Sequence, residues 1–567
     1  MGMHGEHFCP AKEGLMLKVF KNPAIQIACL LVAWALVCLP NLGISSLWDI
    51  DEGNNAEAAY EMMESGNWIV PTYNYNLRVD KPALLYWLQI ASYNTFGVNE
   101  FAARFPSALG GLFSLFATYA LATIMFGAST GFLAGLILLA MPAWAGSAHF
   151  ANPDSLLNAC VAWSFFVFFK GYQNNNSTWL LWGGIITGIG MLAKGPIALA
   201  LPLLIIVLFL LWERQPKRLL SIHLLSALFL FFLVAGPWYI WVGVETKFLW
   251  HKGFFFTHNL GRFSTAMENH SGPWFYYLLV IAIGSAPWSA FIGMTFLNTK
   301  KELFNTEPSN NTINDRSAIR LLATWIAVVL IFFSISSTKL PNYILPLYPA
   351  IAILTARAML AWKNETHAYP NWLPKTGMVL LVFIGIITSV AMILVSTQAD
   401  ISWIKGRKIP RLEQMAFIGL IPITCGIIAL MLAAKKNRIA TLALLCLGSI
   451  GFTGALGAWN GSNLNEIKAP KLLSQFLPED HLTREIVIAT HDWFQPSITF
   501  YCKRQINTLT SEEEVKQFLE QPIPAYVFMP EKKWDALKLN QSFKAKKIGQ
   551  ATDFYRNCNV VLLTNQY

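Results

Sequence analysis

Asp51 and Glu52 stand side by side in LWDIDEGNNAEAAYEMMESGNWIVPTYNYNLRVDKPALLYW, an acidic, aromatic stretch running from Leu47 to Trp87. Two adjacent carboxylates can act as general base on an acceptor hydroxyl or as hard ligands for a cation. The plainer alternative is a solvated helix start, because the helix dipole favours acids in the first turn. A third acid, Asp154 in HFANPDSLL, sits at the head of an apolar run. A carboxylate at membrane depth is costly and marks a functional candidate, although Asp after Pro is also good capping chemistry. Asp51, Glu52 and Asp154 are therefore the catalytic candidates.

Cations accompany them. Lys81 stands in VDKP, Lys194 in LAKGP, Arg262 in NLGRF and Lys339 in STKLPNY, each at the boundary of an apolar segment, and Arg104 in FAARFP is a further member. Taken singly, such residues are often snorkelling side chains at helix ends. Convergence on one side fits another demand: a lipid phosphate needs cationic donors at the interface. His258 and His270 share a loop with Arg262, and Asp80 adjoins Lys81. A histidine with an acid could hold zinc, although this spacing is not diagnostic. Tyr73, Tyr75, Tyr86, Trp87, Tyr343 and Tyr348 are candidates for lining a sugar or lipid cleft, or for an interfacial aromatic belt.

The elements that must position these residues are apolar helices. Of the 567 residues 54% are hydrophobic and only 13% charged, and the mean hydropathy is +0.44. Runs of about 20 apolar residues are what a bilayer core requires. They fall near 24–40, 104–126, 130–148, 155–169, 178–194, 196–212, 219–242, 273–297, 318–336, 340–361, 373–397, 414–433 and 438–458, about thirteen spans by length and hydropathy. The reading is an α-helical polytopic membrane protein. Residues 1–23 form a cytoplasmic N-terminal segment, 24–460 the membrane part with outer loops 41–103 and 243–272, and 461–567 a small outer α/β domain.

Lysine and arginine concentrate in the connections assigned inside, among them Arg214, Lys217 and Arg218. An odd number of spans then leaves the acidic loop and the C-terminal segment together on the outer face. The net charge of +10 fits contact with anionic head groups; so apolar a chain is not a nucleic-acid binder. Within the loop, Ala56, Ala59, Tyr60 and Met63 recur at helical spacing up to Gly66, which predicts a helix on the membrane surface. In the C-terminal part REIVIATHD, AYVFMP and NVVLLTN read as strands and SEEEVKQFLEQ as a helix. Cys502 and Cys558, both in this outer part, are candidates for a disulfide.

Several motifs carry a family likeness. DEGNNAEAAYEMMESGNWIVP, RVDKPALLYW and FAARFPSALGG are followed in order by LAKGP, FFFTHNLGRF with its PWFYY, and STKLPNYILPLYPA. Together they resemble the bacterial aminoarabinose transferases of lipid A, part of the GT-C membrane glycosyltransferase superfamily that includes the protein O-mannosyltransferases. The resemblance implies transfer of a sugar from a polyprenyl-phosphate carrier to a periplasmic acceptor, lipid A above all, at the bacterial inner membrane. It implies Asp51 as the acid that orients or activates the acceptor and Asp154 as a second acid of the cavity. Lys81, Lys194 and Arg262 would neutralise the carrier phosphate, with Tyr343 near it. Asp80 and His258 would be the metal ligands. Two positions depart from the family pattern: Asn54-Asn55 replaces an Arg-Tyr pair, and Asp80 replaces a glutamate.

Two other functions compete. Hexose transfer to a protein or other glycan hydroxyl would use the same groups, with Asp51 as base. A lipid or sugar transporter would place charges at the midplane on broken, repeated helices. The sequence shows no repeat, and its ionisable residues gather at one face.

Overall fold

The protein is described from a computed structural model covering residues 22–219, 222–261, 271–304, 313–367, 369–397, 409–459, 461–539 and 545–566. Helix α1 (Pro23–Cys38) opens behind Asn22, whose side chain caps the Ala24 N–H. The acidic loop then forms α2 (Asp51–Ser65), a two-residue hairpin of β1 (Thr72–Tyr73) and β2 (Asn76–Leu77), and α3 (Leu84–Phe96). Membrane helices follow: α4 (Glu100–Phe126), α5 (Ala128–Leu139), α6 (Pro142–His149), α7 (Asp154–Gln173), α8 (Trp179–Lys194), α9 (Ile197–Trp212) and α10 (Ile222–Glu245). After an irregular segment come α11 (Tyr276–Gly284), α12 (Ile292–Phe304), α13 (Ile313–Ile335), α14 (Tyr348–Lys363), α15 (Leu373–Ser396), α16 (Leu420–Ala434) and α17 (Arg438–Trp459).

Among the described residues eight helices are long and apolar enough to cross a membrane, and three shorter apolar helices accompany them. Two expected single spans are bent pairs instead. The run 130–148 breaks between α5 and α6 with a 66° bend, and 273–297 breaks after α11 with a 109° bend. Pro142 opens α6 and Pro287 lies in the second break; proline cannot continue the hydrogen-bond ladder, so each bend has its cause.

In lipid, water does not drive helix association, so close contact must. Gly184 of α8 lies so near α10 that a Cβ there would stand 2.1 Å from the Ala227 carbonyl oxygen. At the centre Phe165 and Trp325 pack with ring centroids 4.2 Å apart, joining α7 to α13.

Helix α2 ends at Gly66, whose φ of +67° is the left-handed cap glycine adopts freely. Its packing is not that of a helix with a single buried face. Most of its residues are buried, because α3 and the C-terminal part cover it: Tyr93 donates to the Ala56 carbonyl and Asn55 to that of Ala151.

The C-terminal part is a five-stranded sheet in the order β4-β3-β5-β7-β6. Strands β3 (Val487–His491), β4 (Ile506–Leu509) and β5 (Ala525–Pro530) are parallel, while β7 (Cys558–Thr564) runs antiparallel to β5 and to β6 (Lys546–Asp553). Strands β4 and β6 were not legible in the sequence. Cys502 and Cys558 are free thiols rather than a disulfide. The sheet domain grips the acidic loop, so both lie at the same end of the bundle. Ser497 donates its backbone N–H and its hydroxyl (2.9 Å) to Asp49, the Asp49 N–H donates to the Tyr555 hydroxyl, and Asn74 pairs with Ile506.

Candidate active site

At that end a cavity of about 400 Å³ opens between the acidic loop and helices α7, α9 and α13. Its polar wall holds Asp51, Asp80, Lys81, Lys194, His258, Asn342 and Tyr343, and its apolar wall includes Leu157, Ile197, Ala200, Phe332 and Phe333. A charged mouth above an apolar shaft suits a phosphate carried on a lipid chain.

Each side chain has a local reason to be there. Lys194 is the last residue of α8, where the helix dipole favours a cation. Gly195 then turns the chain with φ +90°, and its missing Cβ leaves room for the Phe254 ring, which would otherwise be 2.5 Å away. Pro196 starts the next helix. Lys194 forms an ion pair with Asp154, and the other Asp154 oxygen accepts from Asn342 Nδ2 at 2.8 Å. Asp154 is thus held on both oxygens, with its side chain buried. It aims Lys194 at the cavity rather than entering it. The Lys194 ammonium lies 5.9 Å from the centre of the Tyr343 ring.

The second cluster sits on the loop. Segment Lys252–Gly261 is a π-helix, a geometry often found at functional sites. It lies so close that a Cβ on Gly253 would stand 2.6 Å from Val79, which brings His258 Nε2 within 2.8 Å of Asp80 Oδ1. Arg78 holds the other Asp80 oxygen at 3.1 Å and is itself placed by Tyr86 and Asn55. Burial pushes the Asp80 carboxyl up, but the His258 hydrogen bond and the charges of Arg78, His258 and Lys81 outweigh it and hold the group below the usual carboxylate range. The chain Asn55–Arg78–Asp80–His258 shows what one of the two unusual asparagines does: it anchors a guanidinium that orients the acid. As a metal site the cluster fits poorly. Zinc takes three or four protein ligands, no group of three His, Cys, Asp or Glu forms among the described residues, and a guanidinium already sits on the acid.

Asp51, exposed at the first turn of α2, lines the cavity, and among the described residues no donor engages its carboxylate. Its neighbour Glu52 points the other way. Glu52 forms a bidentate pair with Arg104 at 2.8 and 2.7 Å, both side chains are buried, and neither lines the cavity. Lys339 also turns aside: its ammonium donates to the carbonyls of Ser334 and Ser336, closing the end of α13. Arg262 and His270 lie outside the described residues. Asn342 was not singled out in the sequence; a lone asparagine carries no chemical flag, and its one signal was its place beside Tyr343 in LPNY.

Residues 80–241, which run from Asp80 through Asp154 and Lys194, match the family model described as dolichyl-phosphate-mannose-protein mannosyltransferase. The crystal structure of ArnT from Cupriavidus metallidurans bound to undecaprenyl phosphate superposes with a TM-score of 0.76 over 96% of this chain and 98% of that one, at 22% identity. The apo form gives 0.77 over 98% of both. The fold is that of these two ArnT structures. In sequence the chain is 30% identical over 371 residues to the undecaprenyl phosphate-alpha-4-amino-4-deoxy-L-arabinose arabinosyl transferase of Erwinia tasmaniensis, 64% of each chain. An enzyme of the same name from Pseudomonas fluorescens is 29% identical over 64% of this chain and 62% of its own. The aligned part therefore spans just under two thirds of those relatives.

Proposed function

We infer that the protein is a membrane glycosyltransferase that moves 4-amino-4-deoxy-L-arabinose, or a related amino sugar, from undecaprenyl phosphate to a phosphate of lipid A. The observation that carries the reading is the single cavity that sets Asp51 and the cations Lys81 and Lys194 above an apolar wall. The relatives' names supply the donor and the sugar; the family resemblance supplies the acceptor. The membrane would be the bacterial inner membrane and the cavity would open to the periplasm, which agrees with the bias of Arg214, Lys217 and Arg218 to the opposite connections.

In this reading an acceptor phosphate oxygen attacks the anomeric carbon while its bond to the carrier oxygen breaks. The bonding pair leaves with the carrier phosphate. Lys81 and Lys194 stabilise that growing negative charge in a site where preorganised cations are worth most. An ionised acceptor has no proton to lose, so Asp51 would position it. A second reading, transfer to a protein or glycan hydroxyl, is favoured by one feature: the Asp51 carboxylate has no protein donor among the described residues and is available as a base.

The test uses purified Asp51→Asn and Lys81→Ala variants, with sugar release from an undecaprenyl-phosphate donor as readout. Undiminished turnover in both would overturn the assignment. Mass spectrometry of lipid A from cells with and without the gene reads the acceptor; an unchanged profile moves the assignment to the hydroxyl reading.

A further inference from the structure

The far ends of the same helices build a second opening. Cavities of about 250 and about 80 Å³ lie between α7, α8, α9 and α10 and share Val167, Phe168, Leu180, Leu203, Ile206 and Leu224, so they form one cleft. From Asp154 at the first cavity to Tyr172 at this mouth α7 rises about 27 Å at 1.5 Å per residue, close to the roughly 30 Å of a bilayer core. The two openings therefore face opposite sides. Along α9 the cleft reaches from Leu210 to Leu199, about 16 Å or one leaflet.

The mouth is polar and cationic. Tyr172, Asn176, Ser177 and Arg218 line it, and Lys217 and Arg214 flank it in the exposed α9–α10 connection. The Arg218 guanidinium lies 4.6 Å from the centre of the Tyr172 ring, and its Nη1 donates to the Tyr172 carbonyl at 3.1 Å. That is its one side-chain hydrogen bond among the described residues, so most of its five donors stay available. The acid of this connection, Glu213, is held by Arg320 at 2.9 Å and by Ser317 and Tyr172. It does not cancel Arg218.

We propose that this cleft binds one anionic glycerophospholipid of the leaflet opposite the active-site cavity, with its phosphate on Arg218 and one acyl chain along Leu203 and Ile206. A guanidinium edge matches a phosphate, basic pockets between membrane helices select anionic head groups, and the shaft is one leaflet deep. The site is distinct from the carrier cavity, and no residue of that cavity takes part.

The experiment takes the purified full chain in detergent with phosphatidylglycerol or phosphatidylcholine. Native mass spectrometry counts retained lipid, and thermal unfolding is followed in parallel. Phosphatidylglycerol should be retained preferentially and should raise the unfolding temperature more. Arg218→Ala should weaken that retention about tenfold or more, the scale of a lost charged hydrogen bond. Leu203→Trp fills the shaft while leaving Arg218 intact, and should displace the lipid without touching the head-group site. Equal retention of both lipids by the unaltered chain overturns the proposal, as does a phosphatidylglycerol preference that survives both substitutions. Should Arg218→Ala fail to fold, Leu203→Trp alone still decides.

Discussion

Two carboxylate–cation pairs, Glu52–Arg104 and Asp154–Lys194, are built from the same chemistry and put to opposite uses. Arg104 spends its donors on Glu52 and on the carbonyls of Leu42, Ser45 and Ser46, while Glu52 also accepts the N–H groups of Trp48 and Ala151. Nothing is left for a ligand. The pair staples the acidic loop to the head of α4. Asp154 is also used up, by Lys194 and Asn342, yet Lys194 still faces the cavity beside Tyr343. A saturated pair holds the structure; a pair that leaves its cation facing an opening can receive an anion.

Substitution should pull the two pairs apart. The largest effect belongs to Arg104→Ala, which strands a buried carboxylate and should cost about 3–5 kcal/mol of stability, read as a lowered unfolding temperature and poor yield of folded protein. Lys194→Ala should show chiefly in turnover, lowering it by about 10²–10³, the scale of a lost transition-state donor; it also lowers the unfolding temperature, because it leaves the buried Asp154 with Asn342 alone. A Lys194→Ala chain that unfolds early while retaining turnover would erase the contrast. Asp154→Asn keeps the shape but loosens Lys194, and a misplaced group costs about tenfold to a hundredfold in turnover; Asn342→Ala should follow it with a smaller loss. Steady-state kinetics on the folded variants checks both.

The smallest effect concerns pH at the junction with the sheet domain. Burial pushes the Asp49 carboxyl up to about 7, against the opposing Ser497 hydrogen bonds and the charge of Lys468. Between the unfolded value of about 4 and 7 the folded chain thus holds a proton that the unfolded chain has lost. Stability from this group is present at the acid end and declines as pH rises through the window. Unfolding temperatures measured at pH 5 and pH 7.5 should show that decline, and Asp49→Asn should flatten it.

Much of this was legible in the sequence because membrane helices and interfacial charges leave strong marks. The apolar runs, the glycine ending α2 and the cations beside Gly or Pro are local signals. The facing of side chains is not. Asp51 and Glu52 are adjacent, but successive helix residues point about 100° apart, so one reaches the cavity and its neighbour reaches Arg104. Lys339 looked like an interfacial cation and proves to close a helix end, its ammonium spent on the Ser334 and Ser336 carbonyls. The bends in 130–148 and 273–297 had their signal in Pro142 and Pro287, which hydropathy averages away. Strand β4 was hidden because four residues are too few to set a period, and β6 because its inward positions, Gly549, Ala551 and Asp553, carry no large apolar side chain.

The grip of Ser497 on Asp49 joins residues 448 positions apart. A ribosome releases the acidic loop long before the sheet domain, with all but the first of the membrane helices made between. Asp51, two residues beyond that grip, is therefore held in place only once synthesis has passed Ser497. A chain made only as far as the membrane helices therefore lacks the contact that fixes Asp49.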